Sequence, residues 1–163
     1  MKISILFLVC FLLMGNIVCA EESATPEEII SKVRAAAEFL SKAGEAGLAQ
    51  FNEPKGQWVW KDTYVFVYNC NKEVMAAHIN SKLVGMKLSE FIDKTGRYLS
   101  YDLCVEALKP KGGWAEYWWS KAGGTTPERK ISYILKVQGQ PYEVSAGIYN
   151  PSMTLKQLND MLK

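Results

Sequence analysis

The spacing of apolar residues changes at Trp58. Ahead of it, Ile29, Val33, Ala36, Leu40 and Ala43 recur every third or fourth residue, a single stripe that continues to Leu48 and Phe51. That period predicts one long amphipathic helix. Its start is marked by Thr25-Pro26-Glu27-Glu28, where Thr25 can cap, proline suits the first helical position and Glu28 sits three residues after the cap. Past Trp58 the period becomes two, in Trp58-Val59-Trp60 and Tyr64-Val65-Phe66-Val67-Tyr68. Such β-branched and aromatic runs predict strands. A helix with one apolar face, followed by alternating segments, is the opening of an α+β domain.

The rest of the order follows from turn residues. Asn69, Asn71 and Lys72 turn the chain into a returning strand over Glu73 to Ile79, giving a hairpin. Asn80 to Lys109 carries two short helical patterns, Ser89 to Ile92 and about Ser100 to Leu108, and reads as a helical crossover. Trp114 to Trp119, Lys130 to Val137 and Tyr142 to Tyr149, separated by Gly- and Pro-containing turns, predict a three-strand meander. Leu155, Leu158 and Leu162 mark a short closing helix. The class is α+β, on one antiparallel sheet.

Met1 to Ala20 predicts a cleaved secretory signal peptide. Lys2 precedes an apolar run from Ile3 to Met14, and Val18-Cys19-Ala20 forms a cleavage site before Glu21. The apolar run falls short of the ~20 residues that a bilayer span needs. Of the 163 residues, 21–163 remain as one domain, large enough to build a core of its own. With 48% hydrophobic and 22% charged residues, disorder is excluded. Lys2 is the leader's single charge, which leaves 18 of the 19 basic residues against all 17 acidic ones. A chain so near neutrality does not steer a polyanion, so nucleic acid is not an expected partner.

Cys10 and Cys19 leave with the leader, so the mature chain keeps Cys70 and Cys104. An oxidising compartment would pair them, with two buried thiols as the alternative. Closing a loop of about 34 residues contributes roughly 3–4 kcal/mol in the chain-entropy description.

His78 is the single histidine, so any imidazole-based catalysis would have to use it. No nucleophile elbow or papain-like context surrounds a serine or cysteine, and the expectation is a protein that is not an enzyme. One histidine with two cysteines makes a poor zinc set, and no metal or cofactor is expected. His78 reads as a pocket residue or a structural hydrogen-bonding group. The strand Trp114-Ala115-Glu116-Tyr117-Trp118-Trp119 has large aromatics on both faces, so both faces are covered. Aromatics with polar tips suit a small polar pocket or simple core packing. Lys130 offers a point charge for a carboxylate, or is a solvated strand end; Arg97 is the other candidate cation. Tyr133, three residues beyond Lys130, shares its face only if the strand twists or bulges.

Read together, Trp58-x-x-x-Asp62-x-Tyr64-Val65-Phe66-Val67-Tyr68-Asn69, Ala77-His78, Leu83-Val84-Gly85, Gly113-Trp114-x-x-Tyr117-Trp118, Lys130-x-Ser132-Tyr133 and Ala146-Gly147-Ile148-Tyr149 resemble a single Cache domain. That family comprises extracytoplasmic sensor domains of bacterial chemoreceptors and sensor kinases. The resemblance implies a PAS-like fold, with a long N-terminal helix and a five-stranded antiparallel sheet flanking a small-molecule pocket. It also implies a small organic acid or related metabolite as ligand, with a carboxylate favoured, a bacterial periplasmic or secreted location, and a separate membrane receptor or kinase as partner, since the chain stops at Lys163 soon after the last strand. The residues expected to bind ligand are His78, Tyr117, Trp119, Lys130 and Tyr133. Ile79 stands where family members often have proline. The competing reading is a structural or interaction protein whose pocket is filled by its own tryptophans.

Overall fold

The computed structural model describes residues 22–163; the predicted leader and its cleavage point before Glu21 lie outside them. Helix α1 spans Pro26–Ala43. Thr25 Oγ1 accepts the Glu28 N–H and the Glu28 carboxylate accepts the Thr25 N–H, so two otherwise orphaned donors are satisfied. Its buried face is Ile29, Val33, Ala36, Ala37 and Leu40. The α-helix does not run on to Phe51 as its periodicity predicts. Gly44 adopts φ +57°, a conformation that costs glycine little, and its N–H caps Leu40 O. Residues Gly44–Asn52 continue as a 3-10 helix that still delivers Phe51 to the core, stacked 5.0 Å from the Trp58 ring.

A two-stranded hairpin, β1 (Val59–Trp60) and β2 (Thr63–Tyr64), leads into the main sheet. Five antiparallel strands follow: β3 (Phe66–Asn69), β4 (Val74–Ala77), β5 (Gly113–Ser120), β6 (Pro127–Lys136) and β7 (Glu143–Tyr149). Their spatial order is β4-β3-β7-β6-β5, which puts the last strand in the middle. The crossover between β4 and β5 consists of two 3-10 turns, Ser81–Leu83 and Leu88–Glu90, and helix α2 (Leu99–Ala107). Helix α3 spans Leu155–Asp160. A disulfide joins Cys70, just after β3, to Cys104 in α2, with the Cα atoms 5.9 Å apart.

Strand alternation divides the interior into two cores. On one face Val67, Trp114, Ile131, Tyr133, Val144, Ala146 and Ile148 meet α1. On the other, Tyr64, Phe66, Tyr68, Ala115, Tyr117 and Ile134 meet Leu88, Phe91, Leu99 and Leu103 of the crossover. This second face is thinly filled along the central strands, where Ser132, Ser145 and Gly147 lie deeply buried. Three small residues side by side leave room for longer side chains from their neighbours.

Gly147 shows how closely that room is fitted. A Cβ on it would stand 2.6 Å from Lys130 Cε and 2.9 Å from Lys130 Cγ, and would also collide with Ser132 Oγ. Gly147→Ala is therefore expected to cost about 1–3 kcal/mol by overpacking, measured as a lower urea midpoint with an unchanged m-value.

Candidate functional site

The second core encloses a cavity lined by Tyr64, Phe66, Met75, His78, Leu88, Phe91, Leu99, Ser100, Leu103, Tyr117, Trp119 and Lys130. About 20 Å³ of it is open to the centres of water-sized molecules, within about 370 Å³ of empty space that includes its opening. That is room for about one water. Tyr64, His78 and Trp119 also line an adjoining surface cleft of about 570 Å³, so these three residues stand between the cavity and solvent.

Lys130 is the chemical centre. Its register on β6 pairs it with Tyr117 on β5 and Tyr149 on β7, which places it on the thinly filled face. The side chain is fully buried, and its ammonium has no hydrogen-bond acceptor among the described residues. Three rings surround Nζ: Tyr64 at 4.4 Å, Tyr149 at 4.9 Å and Phe66 at 5.2 Å from their centroids. Ring faces attract a cation, but they do not accept its protons as a carboxylate does. The negative charge of Asp62 acts on it from a distance, while Asp62 itself takes the Ala24 N–H and faces Lys121 at 3.2 Å. Burial outweighs Asp62 and lowers the Lys130 pKa to about 7.

The other polar groups are donors or closed pairs. His78 Nδ1 accepts the Asn80 N–H at 2.9 Å, and burial, aided by the Lys130 charge, holds the ring near pKa 3. The imidazole is therefore neutral with its proton on Nε2, the ring's remaining donor. The Tyr117 hydroxyl and Ser132 Oγ lie 2.8 Å apart. Burial raises the Tyr64 hydroxyl to about 12 and that of Tyr117 well beyond its ordinary range. Of the lining groups with shifted pKa values, Lys130 alone lies near neutrality, so the cavity presents a donor set rather than an acid paired with a base.

Four of the five predicted residues, His78, Tyr117, Trp119 and Lys130, thus come together around one space. Tyr133 does not. Strand β6 runs regularly through it, so it faces α1, packs 5.4 Å from the Trp114 ring and donates its hydroxyl proton to Lys111 O at 2.6 Å. Placing it in the pocket is corrected by the simple alternation of the strand. Arg97 is also absent from the lining: it pairs with Asp102 at 2.7 Å and donates to Glu116 O. Sequence reasoning missed Tyr64, Phe66 and Tyr149, the rings around Lys130. The alternation Tyr64, Phe66, Tyr68 puts the first two on one face; Tyr149, on β7, joins them only through strand pairing.

Residues 55–154, most of the described fold beyond α1, match the family model described as Cache domain. The chain belongs to the Cache domain family. Solved Cache structures share its architecture. A periplasmic sensor domain of a chemotaxis protein is 27% identical, with a TM-score of 0.60 over 74% of this chain and 94% of that one. A Cache chemosensory domain studied for carboxylic acid recognition is 22% identical, with a TM-score of 0.59 over 75% of this chain and 86% of that one. A methyl-accepting chemotaxis protein from Vibrio parahaemolyticus RIMD 2210633 is 19% identical, with a TM-score of 0.57 over 74% and 80%. Among the described residues, no helix of this Cache domain is long and apolar enough to cross a membrane.

The unpaired ammonium has a measurable cost. An unfolded lysine titrates near 10.4, and folded Lys130 near 7, so between those values the folded chain binds fewer protons than the unfolded one. The stability of the ligand-free protein should therefore rise from pH 7 to about pH 10. Lys130→Met should flatten that rise and, at pH 7, add about 3–6 °C to the melting temperature by removing a buried unpaired charge. A calorimetric pH series on both proteins checks this.

Proposed function

We propose that this protein is an exported sensor module that binds a small monocarboxylic acid non-covalently in the Lys130 cavity and presents the bound state to a separate membrane partner. The observation that carries the reading is the buried ammonium without an acceptor. A folded protein rarely leaves such a group unpaired, and an incoming carboxylate would supply the missing charge and acceptors. His78 Nε2–H is a second donor on the same wall. Support also comes from the family and its solved relatives, which are sensor domains, one of them studied for carboxylic acid recognition. The donor set around Lys130 is one for binding rather than turnover.

The lining narrows the ligand class. Lys130 is its one lysine or arginine, and no carboxylate faces the space. A second ligand carboxylate would be desolvated against Leu88 and Phe91, and the ammonium of an amino acid would find no counter-charge. A short aliphatic tail fits those side chains. Because the space holds about one water, binding requires Trp119, half-buried between cavity and cleft, to swing aside.

A self-filled interior accounts for the small volume but leaves the ammonium unexplained. Titration calorimetry and thermal shift with acetate, propionate, succinate and alanine separate the two readings. Binding of the monocarboxylates alone supports a ligand site, whereas the absence of any stabilising acid supports the self-filled reading. Bound carboxylate should raise the Lys130 pKa above its free value of about 7. Affinity should accordingly be flat from about pH 5 to 7 and fall towards tenfold per unit above pH 7, as free Lys130 loses its proton. Lys130→Met should abolish binding while the fold persists.

A further inference from the structure

The Cys70–Cys104 bond encloses much of the cavity wall within one covalent loop. Of the twelve lining residues, the seven between Met75 and Leu103 lie inside it; Tyr64, Phe66, Tyr117, Trp119 and Lys130 lie outside. The looped segment consists of β4, which stays paired with β3, and of the cover proper, the two 3-10 turns and most of α2. The outer five belong to the rigid sheet and its flanking hairpin.

The cover is held to the sheet by this bond, by a few polar and aromatic contacts and by its apolar face. Leu103, the residue before Cys104, faces the cavity, and its carbonyl accepts a 3.3 Å hydrogen bond from Tyr68 Oη. At the other end Arg97 donates to Glu116 O. Beside it Asp93 Oδ2 accepts the Trp118 N–H at 3.3 Å, Phe91 packs 5.9 Å from the Trp119 ring and Lys94 sits over the Trp118 ring, while Leu88, Leu99, Leu103 and Ala107 form the apolar face. The outer face of α2 contributes nothing to it, since Tyr101, Val105 and Leu108 point to solvent. Fixing two walls at the Cys70–Cys104 anchor removes motions that a ligand would otherwise have to freeze, and such preorganisation appears as affinity.

The bond is also within reach of a reagent. Both cysteines are only partly buried and line a surface groove of about 410 Å³, with Ser89, Tyr101 and Lys136 around them. The groove adjoins the cavity at Leu88 and Ser100 and shares no residue with the cleft on the Trp119 side.

Resting on the carboxylate reading of the cavity, we infer that the redox state of Cys70–Cys104 regulates the site: oxidised, the cover is pinned and the ligand is held tightly; reduced, the cover loosens and the ligand is released. The reductant is a dithiol. One of its thiolates attacks a cysteine sulfur and its second thiol resolves the mixed disulfide, so two electrons and two protons pass to the protein, leaving two cysteine thiols and an oxidised dithiol.

The test is hydrogen exchange by mass spectrometry on oxidised and dithiothreitol-reduced protein, with propionate titrations of both forms. Expected on reduction are at least tenfold faster exchange in residues 81–107, unchanged exchange in β5 to β7 and α1, and at least tenfold weaker propionate binding. Equal exchange in the two forms, uniformly faster exchange across the whole chain, or equal propionate affinity would overturn the inference. If oxidised protein binds no propionate, the carboxylate reading fails on its own, and the exchange pattern still decides whether the bond pins the cover. The Cys70→Ser/Cys104→Ser variant, free of reductant, should exchange like reduced protein; a pattern like that of the oxidised form would likewise overturn the inference.

Discussion

The ammonium of Lys130 sets the terms for everything on the cavity face of the sheet. A charge removed from water costs free energy unless acceptors replace its hydration, and here three ring faces and a distant carboxylate replace only part of it. The group is tolerated because the sheet around it is over-determined. Lys130 sits in the middle strand of a regular antiparallel meander, with backbone pairing on both sides. The strain of an unmet charge is thus stored where the backbone has no alternative register, as is common at functional sites.

Space for that side chain comes from its neighbours. Gly147 allows the lysine stem to cross the central strand, and Ser132 and Ser145 keep their hydroxyls within local hydrogen bonds, to Tyr117 and to Tyr133 O respectively. The opposite face of the same strands carries Tyr133, Val144, Ala146 and Ile148, packed against α1. One set of strands therefore serves two purposes, because successive side chains point to opposite sides. The face against α1 supplies stability, and the other spends some of it on a site.

The cover answers to a different constraint. It contains only short helical turns and one nine-residue helix, too little regular structure to hold itself in place. Burial of Leu88, Phe91, Leu99 and Leu103, together with one covalent bond, keeps it closed. A wall built this way can move without disturbing the sheet.

Order and type of elements were legible from periodicity and turn residues alone: the capped first helix, the hairpin, the crossover, the meander and the closing helix all stand where local patterns put them, since each depends on neighbours close in the chain. The helix ran too far on paper because an apolar stripe continues through a 3-10 segment, and only the φ of Gly44 separates the two. Alternation alone could have put Lys130 and Tyr133 on opposite faces; which of those faces holds the hollow is a matter of what packs against it, and α1 and the crossover are far apart in sequence. The aromatic cage was hidden for the same reason. Tyr64, Phe66 and Tyr149 reach Lys130 from three separate strands, and strand order in a sheet, here with the last strand at its centre, is decided by long-range pairing that no local pattern encodes.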